Sequence, residues 1–157
     1  MDDDSGVSAL LNASYPALMK ASYESAILAR ALPLMTRANP VLLSCGTYYL
    51  CEMADGRIGG CGGWTLEQPG SGEVTPGVAH IRHFATHPDL IRCGIGMAIY
   101  ARCEANARSA GAQQLDCYAS LNAKGFYRSL GFNEVCRMEV AMGPELRFPS
   151  LLMRRCV

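Results

Sequence analysis

Gly94-Ile95-Gly96 stands at the head of a helical pattern. A helix N-terminus leaves backbone N–H groups unpaired and carries partial positive charge, so it receives phosphates well. Glycines there let the backbone curl round a pyrophosphate with no Cβ in the way. A lone G-x-G also serves tight turns for local reasons, so the motif needs company. A dinucleotide fingerprint does not supply it, because the third glycine of G-x-G-x-x-G falls at Ile99. His80, His83 and His87 imitate a helical ligand set, but they lie on a strand pattern. There His80 and His83 point to opposite faces, and His87 falls beyond the end. The eight cysteines contain no C-x-x-C pair and match no zinc spacing, so no metal is expected. Most of them read as small buried hydrophobes in a reducing cytoplasm.

The elements that must position such a loop follow from periodicity. Val7, Leu10, Leu11 and Ser14 start an amphipathic helix that Pro16 punctuates; a second helix spans roughly Tyr23 to Met35, with Pro33 near its end. Thr47 to Met53 and Ile58 to Leu66 read as strands joined by Ala54-Asp55-Gly56-Arg57. Gly59, Gly60, Gly62 and Gly63 predict a bulge or a closely approaching backbone in the second. Val78 to Thr86 is a strand whose His80, Arg82, Phe84 and Thr86 share a face. Ile95, Ile99, Cys103 and Ala107 stripe a helix that Gly111 caps, with Glu104 and Arg108 as an i,i+4 pair. A strand over Gln114 to Ala119, a helix over Ala123 to Leu130, an alternating strand over Val135 to Met142 and a last strand over Ser150 to Arg155 complete the order. The fold class is α/β (α+β), with helices on a mixed sheet. The 157 residues fit one domain, 1–157. No apolar run approaches the roughly 18 residues of a membrane span. The start, Met1-Asp2-Asp3-Asp4, is acidic where a secretory leader is basic. Lys+Arg and Asp+Glu balance at 14 each, which gives no argument for a nucleic-acid partner.

His87-Pro88-Asp89, Gly94-Ile95-Gly96, Ser120-Leu121-Asn122 and the run from Gly125 through Phe126-Tyr127 to Gly131-Phe132 occur in that order. This joint pattern resembles the Gcn5-related N-acetyltransferase (GNAT) family, specifically from about Ile81 to Phe132 and more loosely over the rest. The resemblance implies a mixed central sheet splayed between its fourth and fifth strands, with the pantetheine arm of acetyl-CoA lying in the gap like an extra strand. It implies that Phe84, Ala85 and Thr86 pair with that arm through backbone groups. The amides of Arg92, Cys93, Gly94, Ile95, Gly96 and Met97 would receive the pyrophosphate, and Asn122 would hold the arm from the other side. Tyr127 would stand near the thioester sulfur and protonate the departing thiolate. Alone, a Tyr in a Phe-Tyr pair reads as core. Some relatives carry a glutamate base on the fourth strand, and the matching position here is His80, whose ordinary pKa near 6.5 suits the task. Asp116 and Glu73 are weaker candidates, a satisfied strand histidine is the plain alternative for His80, and many relatives use no dedicated base.

The implied reaction is direct attack of a primary amine on the acetyl thioester, with acetyl-CoA as cosubstrate. A non-catalytic acetyl-CoA sensor or partner-binding module is the alternative. Two features depart from the family pattern. The Gln or Arg that usually opens the loop is replaced by Ile91, with Arg92 one place later. The strand that usually precedes the first helix is missing, which would leave the Thr47–Met53 edge unpaired. Acceptor specificity in such proteins lies in the segments that here span Val7–Met35 and Gly143–Pro149. Neither spells a ligand, and Trp64 reads as core more readily than as acceptor pocket. A homodimer is consistent with the resemblance.

Overall fold

The structure is a computed structural model and describes residues 3–157, so Met1 and Asp2 of the acidic start lie outside the described residues. Helix α1 spans Asp3–Met19, α2 Ser25–Met35 and α3 Pro40–Ser44; strands β1 (Tyr48–Glu52), β2 (Ile58–Thr65) and β3 (Val78–Thr86) follow. Then come α4 (Ile95–Ser109), β4 (Gln114–Ser120), α5 (Lys124–Ser129), β5 (Asn133–Ala141) and β6 (Arg147–Cys156). The six strands form one mixed sheet in the order β1-β2-β3-β4-β6-β5. Among the described residues its only parallel pair is β3 with β4, the two strands joined by the α4 crossover. Among the described residues no strand precedes α1, and β1 forms one edge of the sheet.

Two apolar clusters sandwich the sheet. On one face Ile99, Cys103 and Ala107 of α4 and Leu130 beyond α5 pack on Ala79, Ile81 and Leu115. On the other, Val7, Leu10 and Leu11 of α1 and Leu28 of α2 pack on Cys61, Ala85 and Phe148. Pro16 does not end α1 as expected. It removes one backbone donor, but Leu10, Leu11, Tyr15 and Met19 are buried on both sides of it and hold a single helix together. The short α3 gives no clear periodic signal; Pro40 at its first turn and the Asn39 side chain accepting from the Val41 N–H (3.0 Å) start it. Of the eight free cysteines only Cys61, Cys103 and Cys117 are buried. Cys45, Cys93, Cys136 and Cys156 are exposed, which corrects the reading of most as core.

Strand β3 carries the consequential irregularity. Gly63 pairs with Arg82 and Cys61 with Ala85, so His83 and Phe84 together oppose the single residue Gly62. This is a β-bulge, and His83 takes a left-handed φ of 55° to make it. The extra residue inverts the alternation. Ile81 faces α4, as the upstream pattern requires, yet Ala85 joins the α1 cluster while Phe84 packs toward α4 and α5. His80, Arg82, Phe84 and Thr86 therefore do not share a face. The glycines of β2 make room for this arrangement: a Cβ on Gly62 would fall inside the Phe84 ring, and one on Gly60 would strike Ile95.

Because Gly62 lies against a ring with no free volume, Gly62→Ala is expected to destabilise the fold by roughly 1–3 kcal/mol, as overpacked cores do. Urea unfolding measures this as a lower midpoint at unchanged slope; an unshifted midpoint would show that the ring and bulge adapt freely.

Candidate functional site

Pairing between β3 and β4 begins at Val78–Gln114 and ends at Ile81–Cys117. Both strands run on, β3 to Thr86 and β4 to Ser120, without touching each other, while β4 keeps its other partner through Ser120–Ser150. The bulge at His83 bends β3 away at the point where pairing stops. A cavity of about 950 Å³ occupies the gap.

The open edge of β3 follows from strand alternation. His87 N–H donates to the Gly59 carbonyl (2.9 Å) on the β2 side, so Phe84 and Thr86 turn their backbone groups toward the gap. Their carbonyls are not left bare: Tyr15 Oη donates to Phe84 O (3.3 Å) and Ser14 Oγ to Thr86 O (2.7 Å). A carbonyl has two acceptor positions, so each retains capacity for a ligand.

At one end of the cavity a 3₁₀ turn, Pro88–Leu90, leads through Arg92 (φ 60°) and Gly94 (φ 83°) into α4. No side chain caps this helix, and its first internal bond runs from Ala98 N–H to Gly94 O (2.9 Å). The amides of Ile95, Gly96 and Met97 thus head the helix at the cavity wall, where Ile91 and Arg92 also lie. Cys93 differs from its neighbours; it is exposed, its Sγ 3.6 Å from the Ile91 carbonyl, and stands outside the wall. Phe84, Ala85, Thr86, Arg92, Gly94, Ile95, Gly96, Met97 and Asn122 all line the cavity. Asn122 sits in the turn Leu121–Ala123 after β4, fixed by Tyr23, whose hydroxyl accepts from Leu121 N–H (2.8 Å) and donates to Pro149 O (2.7 Å).

Tyr127 on α5 lines the cavity from beside β4, with the Phe84, Phe126 and Phe132 rings around it at centroid distances of 6.4, 5.1 and 5.5 Å. Burial pushes its hydroxyl pKa well above 10, and the nearby Cys117 thiol adds to the shift. The phenol therefore keeps its proton at neutral pH.

The expected bases are placed elsewhere. His80 is buried in the paired stretch of β3, in register with Asp116, and does not line the cavity. Asp116 holds Arg154 through two bonds (2.7 and 2.9 Å) and accepts from Gln114 (3.0 Å), an internal ion pair. Glu73 lies on the exposed β2–β3 loop, and Trp64 is in the core facing α4. The histidine that does line the cavity is His83, the left-handed residue of the bulge. It packs edge-on to Tyr15 (6.0 Å), and its Nδ1 is buried without a hydrogen-bond partner. Burial lowers its pKa below the ordinary 6.5, against a smaller pull from the Met35 carbonyl. Alternation alone turns residue 83 away from residue 80 without saying which faces the gap. The only sequence trace of the bulge is the glycine pair Gly62-Gly63 across from it. No cluster of three metal-ligating residues occurs among the described residues.

A family model, the acetyltransferase (GNAT) domain, matches residues 44–134, from the end of α3 to the start of β5. The chain belongs to the GNAT acetyltransferase family. It is accordingly an acyltransferase, and the matched span contains the bulge, the uncapped head of α4 and Tyr127. No curated protein matches the chain. Solved GNAT structures share its fold. One from Rhodopseudomonas palustris is 20% identical, with a TM-score of 0.75 over 99% of this chain and 90% of that one. The PaiA N-acetyltransferase of Thermoplasma acidophilum, solved with coenzyme A, is 14% identical with a TM-score of 0.69 over 99% and 93%. Naa20 of Chaetomium thermophilum, solved with a bisubstrate analogue, is 22% identical with a TM-score of 0.62 over 95% and 81%.

Burial lowers the pKa of both His80 and His83, the nearby Asp116 charge partly opposing the shift at His80. Below about pH 6.5 the unfolded chain then binds protons that the folded chain refuses. The stability is full above that pH and falls as pH drops through it, levelling below the folded pKa values. Thermal melting is expected at lower temperature at pH 5.5 than at pH 7.5, with His83→Gln showing a smaller difference. A melting temperature flat across this range would contradict the burial of both imidazoles.

Proposed function

We propose that this GNAT protein transfers an acetyl group from acetyl-CoA to a primary amine by direct attack on the thioester, within the gap between β3 and β4. The observation that carries this reading is the early end of β3–β4 pairing at Ile81–Cys117, which leaves an extended backbone edge facing a cavity. The residues fit the cosubstrate. Backbone groups of Phe84 and Thr86 suit an amide-bearing arm laid along them as an added strand. The amides from Ile95 to Met97, with Arg92 beside them, suit a diphosphate at a helix head. Asn122 faces the arm from the β4 side.

The chemistry assigns roles to the remaining groups. Attack by a neutral amine builds negative charge on the thioester oxygen, and a main-chain N–H on the open edge of β3 stabilises it. Tyr127, protonated at neutral pH, donates to the departing sulfur, help worth about 10² to 10⁴ in rate. An acceptor ammonium with pKa near 10 must first lose a proton. His80, expected for this task, is separated from the cavity. We assign the role to His83, a neutral imidazole in the wall that takes the proton directly or through water. The free state of all eight thiols suits a reducing compartment, and no described helix is long and apolar enough to cross a membrane.

Calorimetry is expected to show uptake of acetyl-CoA and of free coenzyme A; no uptake at millimolar concentration by folded protein would end this reading. Tyr127→Phe is expected to lower kcat by about 10²-fold or more while leaving acetyl-CoA affinity within a few-fold. Undiminished turnover would remove Tyr127 as the acid. The acid limb of the kcat/KM profile, expected below pH 6.5, should vanish in His83→Gln.

A further inference from the structure

The cavity does not end at the thioester position. It passes through the gap to the opposite face of the sheet, where Leu18 and Met19 of α1, Met35 of α2, Met142 after β5 and Phe148 of β6 line it. A smaller cavity of about 340 Å³ adjoins this end, walled by Leu34, Met35, His83, Met142 and Gly143. An acceptor meets apolar, mostly unbranched side chains there, and methionine reshapes readily around an aliphatic body.

Charge at this end is one-sided. No aspartate or glutamate is among the described residues lining the cavity. Arg82, one residue before the bulge, lines it, and its guanidinium makes one side-chain hydrogen bond, from Nη1 to Thr65 Oγ1 (2.9 Å). No carboxylate of the described residues lies within ion-pair distance of it. The Glu67 carboxylate acts on it only at a distance. A half-buried guanidinium with free donors and no paired anion gains from a ligand that supplies one, and its fork geometry matches a carboxylate. Arg92, the other cation of the wall, stands at the distant α4 end, where the diphosphate is placed. A polyamine would find no carboxylate in the described wall of this path.

We infer that the acceptor is a primary amine bearing both an apolar body and a carboxylate, the body lying among Met19, Met35 and Met142 and the carboxylate on Arg82. This rests on the acetyl-transfer reading above and names its substrate class. A free apolar amino acid and a short peptide with an apolar first residue both carry that chemistry.

The test offers leucine and leucyl-glycine against isoamylamine, leucinamide and spermidine, detecting released coenzyme A thiol. At least one of the two carboxylated acceptors is expected to exceed all three uncarboxylated ones by about tenfold or more in kcat/KM. Which carboxylated acceptor leads separates the two sources. Arg82→Gln should lower kcat/KM for that acceptor about tenfold or more and for isoamylamine far less, with acetyl-CoA affinity kept; Arg82→Lys should recover part of the loss. A parallel arm without coenzyme measures N-acetylleucine binding by calorimetry, expected to weaken about tenfold in Arg82→Gln. Preference for spermidine or isoamylamine, an equal loss for all acceptors, or refusal of both carboxylated amines by protein that binds acetyl-CoA would overturn the inference. Failure to bind acetyl-CoA at all would strike the earlier reading instead, and the coenzyme-free arm would still decide this one.

Discussion

Backbone polar groups cannot be left unsatisfied inside a protein, and the architecture is organised around one place where the sheet leaves them facing a gap. Past Ile81 and Cys117, β3 and β4 part, and Phe84 and Thr86 turn their carbonyls into the space between. Helix α1 answers with two hydroxyls, Tyr15 and Ser14, which bond those carbonyls from the side and leave room along the strand. The gap is thereby stable without a ligand and still receptive to one. Everything else near it serves to hold two diverging strands at a fixed separation.

Several contacts do this holding. The glycines of β2 let Phe84 and α4 close down on the sheet, which sets the β3 side. On the β4 side, Tyr23 stacks on Phe148 (4.4 Å) and ties the turn carrying Asn122 to Pro149 of β6. Arg155 bonds the Leu130 carbonyl (2.7 Å), Tyr100 (2.8 Å) and Glu104 (3.1 Å), joining the end of α5 to β6 and α4. Tyr127 thus sits on a short helix clamped from both sides, which fixes its ring at the cavity wall, as the proposed proton transfer to sulfur requires.

Much of this was legible in the residues. The stripe Ile95, Ile99, Cys103 and Ala107 and the cap at Gly111 located α4, because helical periodicity survives in a long amphipathic segment. The ordered motifs from His87 to Phe132 located the cavity wall. The bulge was hidden, since nothing in Val78–Thr86 marks an extra residue, and with it went the facing of every side chain beyond Arg82. His80 was expected from the resemblance alone and lies before the bulge, in the paired stretch, whereas the bulge is what brings His83 to the wall. The cysteines were misread for a different reason: composition says that thiols prefer the interior, but Cys136 lies on the edge strand β5 and Cys156 is the last residue of β6, and these positions outweigh that preference.

The bulge also divides β3 into two stretches with different masters. Up to Ile81 the strand is bonded on both edges, and its residues answer to the tight fit of neighbouring strands and α4. From His83 onward one edge is free, so changes there need satisfy only β2 and whatever enters the gap. A single inserted residue thus lets one continuous strand act first as scaffold and then as adaptable lining, allowing the lining to diversify while the sheet beneath it stays unchanged.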